Sequence, residues 1–323
     1  MEELHQRWDF NLPIMIPSLK RFKKGKKAIL MIDDCLEDLF YYYNATSVNV
    51  LAQEYTEEDK AYLLEKWPNV NFRWYERRLG IVGTFNVLKT WGCKLDDAYI
   101  HYDDDVRMKN LMEKNPTLLA YESLWRQDPD RIGIVTAASI SIHHFFKHRT
   151  DAILKVHCNP AQLVLINTTP AKECFYDERF ENFRSDTDFT MQIASKGYLP
   201  LIIHHYFSFM HTIPMSTIEF TEEGTRKFRG LDNVNESKGS VGGDRRFENK
   251  KREYDQFNEK WPKVITQAGY RAQVLQPSVK HLTKYTEQEI YNLARGFDKS
   301  LIKDRYHKYY GDKFQIRESN PLF

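Results

Sequence analysis

The sequence is poor in cysteine, glycine and proline, and it contains no apolar run long enough to cross a bilayer. Its four cysteines show no CxxC spacing, which argues against a zinc knuckle and against a disulfide framework. With 14 glycines and 12 prolines in 323 residues, the chain is neither collagenous nor of low complexity. The longest apolar runs, such as Leu199–Ile203, fall far short of the ~20 residues of a membrane-spanning helix. The N-terminal residues also lack the apolar stretch of a signal peptide. We therefore expect a cytoplasmic protein that does not contact membranes.

Apolar and aromatic residues are abundant, at 41% and 14%, which is enough for a sizeable core. The net charge of +2 hides an uneven distribution. Residues 1–223 contain 26 Lys and Arg against 32 Asp and Glu, whereas residues 224–323 contain 21 against 13. An acidic body favours a carboxylate-rich site, and a basic last third favours a surface for a polyanion such as a nucleic acid. A basic helical tail that only faces solvent fits the second observation equally well.

Apolar periodicity predicts strands that alternate with helices over the first two thirds of the chain. The predicted strands cover residues 11–17, 47–52, 71–76, 98–102, 132–137, 163–167 and 199–204, and the predicted helices cover 28–43, 56–67, 80–91, 118–127 and 187–196. Such alternation is typical of an α/β fold with a mostly parallel sheet flanked by helices. We divide the chain into a ligand-binding catalytic domain at 1–215, a mobile loop at 216–253, and a basic, largely helical C-terminal region at 254–323.

The sequence YIHYDDDVR, residues 99–107, is the strongest local signal. An apolar strand that ends in three acids puts carboxylates at the carboxyl edge of a parallel sheet, where open α/β folds bind ligands. Asp103 and Asp105 are two residues apart, so in an extended turn both can face one hard divalent cation, whose remaining positions accept phosphate oxygens. The alternative is an acidic loop without a metal, although adjacent carboxylates repel one another unless something neutralises them.

Two further groups of polar residues follow later in the chain. Asp186 and Asp188 stand at the predicted start of the helix 187–196, where one of them can act as a general base beside an acceptor hydroxyl, or can only cap the helix. His211 follows the last predicted strand, and an imidazole beside two carboxylates suits Mn²⁺ as well as Mg²⁺. A single histidine more often has a structural role, and the sequence does not distinguish His211 from His204 and His205 as the ligand.

The order of these elements resembles that of a GT-A glycosyltransferase, the nucleotide-diphospho-sugar transferase fold. The matching elements are a first strand ending in Ile16-Pro17-Ser18, Gly80-Ile81 at the start of a helix, the acids 103–105, the segment DERF…FRSDTDF at 177–189, and a late histidine. More narrowly, they resemble the TET-associated glycosyltransferases of phages, which act on hydroxymethylpyrimidine DNA. One element departs from that family, which has Gly-Ile-Gly followed by Arg-Asn where this chain has GIVGTFN. The donor-contacting arginine is missing from that place, and Arg77 or Arg78 is its candidate substitute.

The resemblance implies roles for individual residues. Asp103 and Asp105, with His211 as a further ligand, would hold Mn²⁺ or Mg²⁺ against the diphosphate of a UDP-sugar, and Asp186 and Asp188 would face the acceptor. The residues implied in donor binding are Pro17, Ser18, Lys20, Gln53, Glu54, Arg77, Arg78, Gly80, Asp103, Asp104, Lys238 and Arg245. The last two lie in the predicted mobile loop, which would close over the diphosphate.

The leading hypothesis is a metal-dependent glycosyltransferase that moves a sugar from a UDP-sugar to a hydroxyl group. Its expected acceptor is 5-hydroxymethylcytosine in double-stranded phage DNA, and its expected location is then the host cytoplasm. The basic segment RRFENKKR at 245–252, with five cations in eight residues, fits a DNA backbone. The alternatives are a GT-A glycosyltransferase for a polysaccharide, protein or small-molecule acceptor, a nucleotidyl or phosphoryl transferase, and a nucleic-acid-binding module without catalysis.

Overall fold

The computed structural model describes residues 7–23, 29–107, 116–137, 154–156, 163–181, 185–203, 210–211, 218–220, 226–228, 245–262 and 280–297. At the centre of these residues is an eight-stranded sheet. Its strands are β1 (Ile14–Leu19), β2 (Val48–Gln53), β3 (Val70–Tyr75), β4 (Ala98–Tyr102), β5 (Ile132–Ala137), β6 (Leu154–Val156), β7 (Leu163–Asn167) and β8 (Leu199–Ile203). Their order across the sheet is β6-β8-β5-β7-β4-β1-β2-β3. The inner strands are buried on both faces, as expected for a sheet covered by helices on two sides.

Six of these strands run in one direction, and β6 and β7 run against them. The predicted mostly parallel sheet is confirmed, and every predicted strand is present. The first strand begins at Ile14 rather than at residue 11, and it continues through Pro17 to Leu19. A proline is tolerated there because β1 pairs with β4 only at Ile14 and Met15, so beyond Met15 the strand is paired on one side alone.

Helices cover both faces of the sheet, and all five predicted helices are present. The helices are α1 (Met31–Tyr42), α2 (Glu57–Lys66), α3 (Gly80–Gly92), α4 (Thr117–Gln127), α5 (Thr168–Ala171), α6 (Ser185–Ser195), α7 (Arg245–Lys260), α8 (Lys280–Thr283) and α9 (Glu287–Gly296). The apolar faces of α1, α2, α4 and α9 pack on one side of the sheet, and those of α3, α5 and α6 pack on the other. No helix in the described part of the chain is long and apolar enough to cross a membrane.

The chain crosses the sheet in both directions from β1. From β1 the chain moves outward through β2 to the edge strand β3, with α1 and α2 on one face of the sheet. It then crosses the other face in α3 and returns to β4, on the opposite side of β1. The strand order therefore reverses between β1 and β4. Open α/β sheets bind ligands outside the carboxyl ends of their strands at such a point.

The C-terminal elements differ from the prediction in one respect. Helix α7 begins at Arg245, so the basic run 245–252 lies in a helix rather than in a loop, and this helix crosses the predicted boundary at residue 253. Farther along, α9 places Ile290 and Leu293 in the main core, so this part of the C-terminal region packs on the body of the protein. The division of the chain into three regions stays a prediction.

Short strand pairs accompany the main sheet within the described residues. They join Trp8–Phe10 to Tyr43–Ala45, Phe22–Lys23 to Ile29–Leu30, Val106–Arg107 to Met210–His211, and Ile218–Phe220 to Arg226–Phe228. The third pair matters for the site, because it brings a late segment of the chain back to the residues that follow β4.

Candidate functional site

The three acids after β4 meet the end of β1 at the reversal of strand order. Ser18, at the end of β1, donates a hydrogen bond of 2.8 Å to Asp104, and the Tyr55 hydroxyl lies 2.7 Å from the Ser18 oxygen. Asp104 is buried, whereas the side chains of Asp103 and Asp105 keep 22% and 17% of their surface exposed. The structure therefore brings together the predicted residues on β1 and β4. In this arrangement Asp104 is buried and contacts Ser18 and Arg21, and its role in donor binding stays a prediction.

Arg21 supplies a cation to this acidic cluster, and sequence reasoning missed it. Its guanidinium donates to Asp104, and its Nη1 atom lies 3.8 Å from an oxygen of Asp105. Burial raises the pKa of Asp104 above its usual range, and the positive charge of Arg21 opposes that rise. Arg21 stands at the head of the basic stretch 20–27, where it was one cation among several lysines. Arg21 follows Ser18 by only three residues in the sequence, and this closeness to the end of the first strand was the signal that could have identified it.

The two partly exposed carboxylates, Asp103 and Asp105, are the candidates to hold a divalent cation. Mg²⁺ and similar hard cations are commonly bound by one or two carboxylates, with substrate phosphates and water completing the shell. Asp103 and Asp105 offer such a pair, and Asp103 is oriented by His101, whose Nε2 atom lies 2.9 Å from one of its oxygens. Among the side chains that the structure describes, no three His, Cys, Asp or Glu groups converge on one point. The role of Asp103 and Asp105 as metal ligands therefore stays a prediction.

The backbone of His211 lies next to these acids. In the short antiparallel pair, His211 is opposite Val106, the residue that follows Asp105. The predicted approach of a late histidine to the acid cluster is thus present in the main chain, although more than one hundred residues separate the two segments. The role of His211 as a metal ligand stays a prediction, and its side chain lies outside the described atoms, as do His204 and His205 altogether.

Most of the other residues predicted to bind the donor have protein partners. Lys20 pairs with Asp59 at 2.6 Å. The buried amide of Gln53 accepts a hydrogen bond of 2.8 Å from the Leu79 nitrogen and donates one of 3.1 Å to Thr84. Gln53 therefore joins the end of β2 to the start of α3, and this contact between protein groups corrects the prediction that it lines the nucleotide.

The residues around the turn after β2 are more open. Glu54 has a positive φ of 63°, which is uncommon for a residue other than glycine, and its carboxylate pairs with Arg78 at 2.9 Å. Arg77 is exposed and Pro17 is half-buried. Neither Arg77 nor Arg78 has a described contact with the acid cluster, where Arg21 is found instead.

Gly80 begins α3 with a positive φ of 75°, and a Cβ atom there would lie 2.7 Å from a carboxylate oxygen of Glu181. The positive φ favours glycine at this position, whereas the Glu181 oxygen lies at the end of a flexible side chain that can move aside. Of the two predicted donor residues in the loop, Lys238 lies outside the described residues, and Arg245 is the first residue of α7, with a side chain that is not described.

Asp186 and Asp103 both act electrostatically on a buried tyrosine, Tyr176. Burial, followed by the carboxylates of Asp186 and Asp103, raises the pKa of Tyr176 far above its usual value, so this phenol lies within electrostatic range of both acids. The Tyr176 ring stacks on Phe189 at 4.3 Å, and its backbone nitrogen and carbonyl each form a 2.8 Å hydrogen bond with Asn86. Asp186 itself is half-buried in the first turn of α6, where it accepts a hydrogen bond from the Thr187 nitrogen at 2.7 Å. Its role towards the acceptor stays a prediction.

Asp188 occupies a different environment from the one predicted. Its side chain has no exposed surface, and it accepts hydrogen bonds from Lys260 at 2.8 Å, from Trp261 at 2.7 Å and from Gln192 at 2.7 Å. Lys260 also contacts Asp177 at 2.9 Å. Because both oxygens of Asp188 are engaged by the end of α7 and by its own helix, the carboxylate has no free face for an acceptor. The prediction that Asp188 faces the acceptor does not agree with this geometry.

Comparison with known proteins gives similarity at the level of solved structures only. No family model and no curated protein matches the chain. The chain is similar to Staphylococcus aureus TarS, with 12% identity and a TM-score of 0.42 over 63% of this chain and 36% of that one. It is also similar to the mannosyltransferase PcManGT from Pyrobaculum calidifontis in complex with GDP-Man and Mn²⁺, with 12% identity and a TM-score of 0.42 over 95% and 77% of the two chains. A third is GalNAc-T7 with UDP, GalNAc and Mn²⁺, with 11% identity and a TM-score of 0.46 over 92% and 54%.

The chain spans only about a third of the TarS chain and about half of GalNAc-T7. A cytidylyltransferase from Leptospira borgpetersenii is also among the similar structures.

Proposed function

We propose that this protein is a metal-dependent glycosyltransferase with the GT-A fold, and that its donor is a nucleoside-diphosphate sugar, specifically a UDP-sugar. The observation that carries the proposal is the position of Asp103 and Asp105. They lie at the reversal of strand order between β1 and β4, and Asp103 and Asp186 both act electrostatically on Tyr176. This supports a cation site served by a third carboxylate, Asp186, as transfer to a hydroxyl group requires.

The chemistry assigns a task to each group. The bond between the sugar C1 atom and the diphosphate oxygen breaks, and C1 forms a new bond to the acceptor oxygen. A cation held by Asp103 and Asp105, with His211 as a further ligand, would neutralise charge on the departing diphosphate. Asp186 accepts the proton of the acceptor hydroxyl as general base. Ser18 and Pro17, at the end of β1, border the place where the nucleotide would lie.

The test is incubation of the protein with Mn²⁺ and a panel of UDP-sugars and GDP-sugars, with release of the nucleoside diphosphate as the measurement. A glycosyltransferase releases UDP and increases the mass of its acceptor by one sugar. A nucleotidyltransferase instead joins a nucleoside triphosphate to a sugar phosphate, which forms a nucleotide sugar and releases pyrophosphate. A module that only binds nucleic acid produces neither product, and that result would contradict the proposal.

A second candidate concerns the acceptor, which we propose to be 5-hydroxymethylcytosine in double-stranded DNA. The supporting observations are the resemblance in sequence and helix α7, whose first eight residues carry five cations on about two helical turns. Mass spectrometry of hydroxymethylcytosine DNA after incubation with mixed UDP-sugars tests it directly. If α7 contacts the DNA backbone, replacing its five cations by glutamine makes the log–log salt slope shallower by roughly 0.9 for each phosphate that is no longer neutralised. An unchanged slope, with transfer to a polysaccharide or protein, would favour the other acceptor class.

A further inference from the structure

Arg21 has a buried hydrogen-bond donor without a partner. Its Nε atom is inaccessible to solvent and has no acceptor among the residues that the structure describes. The two terminal nitrogens are used differently, because Nη2 donates to Asp104 and Nη1 lies 3.8 Å from Asp105. Because solvent does not reach Nε, an incoming acceptor would contact the exposed part of the side chain, which keeps 28% of its surface accessible, rather than Nε.

The surroundings of Arg21 restrict the identity of that acceptor. The residue follows β1 by two positions and lies beside Asp105, which is partly exposed. Asp104 is buried and holds the guanidinium from one side, while Ser18 holds Asp104 in turn. The arginine is thus fixed in place before any ligand binds. A planar guanidinium that is held in this way is well suited to phosphate oxygens.

We propose that Arg21 binds the diphosphate of the donor nucleotide through its partly exposed guanidinium, with Asp104 acting as its positioning residue. This inference rests on the proposed function and identifies the arginine that the GIVGTFN segment lacks. Arg78, the substitute expected from the sequence, pairs with Glu54 instead. In the free protein Arg21 compensates part of the charge of Asp105. When the diphosphate and its cation are bound, Arg21 faces the phosphate.

The experiment compares three variants by calorimetric titration in the presence of Mn²⁺, with UDP, inorganic pyrophosphate and uridine as probes. Arg21→Met removes the charge and keeps the length of the side chain. Arg21→Met combined with Asp104→Asn also removes the buried charge that the first variant leaves unpaired. Arg126→Met is the control, because Arg126 is an exposed arginine on α4 that pairs with Glu122.

We expect Arg21→Met to weaken UDP and pyrophosphate binding by about ten- to one-hundred-fold, the range for loss of a hydrogen bond to a charged group. Uridine binding should be unchanged, since uridine has no phosphate. The double variant should not recover UDP affinity. Binding of Mn²⁺ alone, followed by electron paramagnetic resonance, should be equal to or tighter than in the wild type, because a cation beside Asp105 has been removed. Arg126→Met should behave as the wild type does.

Recovery of UDP affinity in the double variant would overturn the inference, because Arg21 would then act only as the counter-ion of Asp104. UDP and pyrophosphate affinities within twofold of the wild type in Arg21→Met would overturn it as well. The proposed function fails in a different way. If UDP or pyrophosphate binds through Arg21 but no sugar is transferred, the diphosphate site stands and the glycosyltransferase assignment does not. If the wild type binds neither probe with Mn²⁺, both are overturned.

Discussion

Lys260, the last residue of α7, contacts two carboxylates that belong to the body of the protein. Its ammonium lies 2.9 Å from Asp177 and 2.8 Å from Asp188, and Asp188 has no exposed surface. Lys260→Met would leave Asp188 buried, with hydrogen bonds from Trp261 and Gln192 as its remaining compensation. Removing one partner of a buried ion pair costs about 3–5 kcal/mol of unfolding free energy. Because Lys260 is partly exposed and Asp188 keeps two donors, we expect about 3 kcal/mol, at the lower end of that range.

Thermal unfolding is a suitable assay. For a chain of this size, roughly 2 °C of midpoint corresponds to 1 kcal/mol, so Lys260→Met should lower the midpoint by roughly 6 °C. Lys196→Met is a matched control, since Lys196 pairs with Glu173, which is 74% exposed. An exposed ion pair contributes about 0–1 kcal/mol, so this variant should unfold close to the wild type. The double variant Lys260→Met with Asp188→Asn removes both charges and should regain a large part of the lost midpoint.

Two results would refute this reasoning. The first is a midpoint for Lys260→Met that falls no more than that of Lys196→Met, because burial of Asp188 would then carry no cost. The second is a double variant whose loss of midpoint equals the sum of the losses caused by Lys260→Met alone and by Asp188→Asn alone. Residues coupled through one buried ion pair do not behave additively.

Three further predictions concern the site and its surroundings. Asp103→Asn or Asp105→Asn should abolish the Mn²⁺-dependent part of UDP binding. The circular dichroism spectrum should stay unchanged, because both side chains are partly exposed. Near-normal activity of these variants in the presence of a chelator would show that the metal lies elsewhere. Asp186→Asn should reduce sugar transfer by about 10²–10⁴-fold, the usual contribution of a general base, with UDP affinity within twofold of the wild type. Equal losses of sugar transfer and of UDP affinity would indicate that Asp186 contacts the donor instead. Burial opposes ionisation of Asp177, but hydrogen bonds from Arg179 and Lys260 outweigh it and lower the pKa of Asp177 below its ordinary value of 3.8. The stability that Asp177 contributes is therefore complete above pH 3.8 and is lost as the pH falls through the lower pKa of the folded state. Below about pH 4, the urea midpoint of Asp177→Asn should therefore fall less than that of the wild type. Parallel plots of urea midpoint against pH for the two proteins would exclude this role.

The sequence predicts much of the fold because local pattern determines whether a segment is a strand or a helix. The strands β1 to β5 and the helices α1 to α4 were expected from apolar periodicity, and the structure contains them with only small shifts at their ends. The same reasoning placed Asp103 and Asp105 at the edge of the sheet, since they directly follow an apolar strand. It did not predict that β7 runs antiparallel in the middle of the sheet, because the run LVLIN carries no information on direction. It also missed the helical start of α7, where charged residues give no apolar stripe.

The sequence by itself determined the α/β class, the acids after β4 and the unequal distribution of charge, because each of these depends on residues that are neighbours along the chain. Only the tertiary structure decided which polar groups meet. Asp188 became a buried partner of Lys260, which lies 72 residues away, and Tyr176 was fixed by Asn86 at a separation of 90 residues. Arg21 reached Asp104 across 83 residues. Such pairs form because packing of the helices on the sheet brings distant segments together, and a buried charge is stable only where that packing supplies its partner.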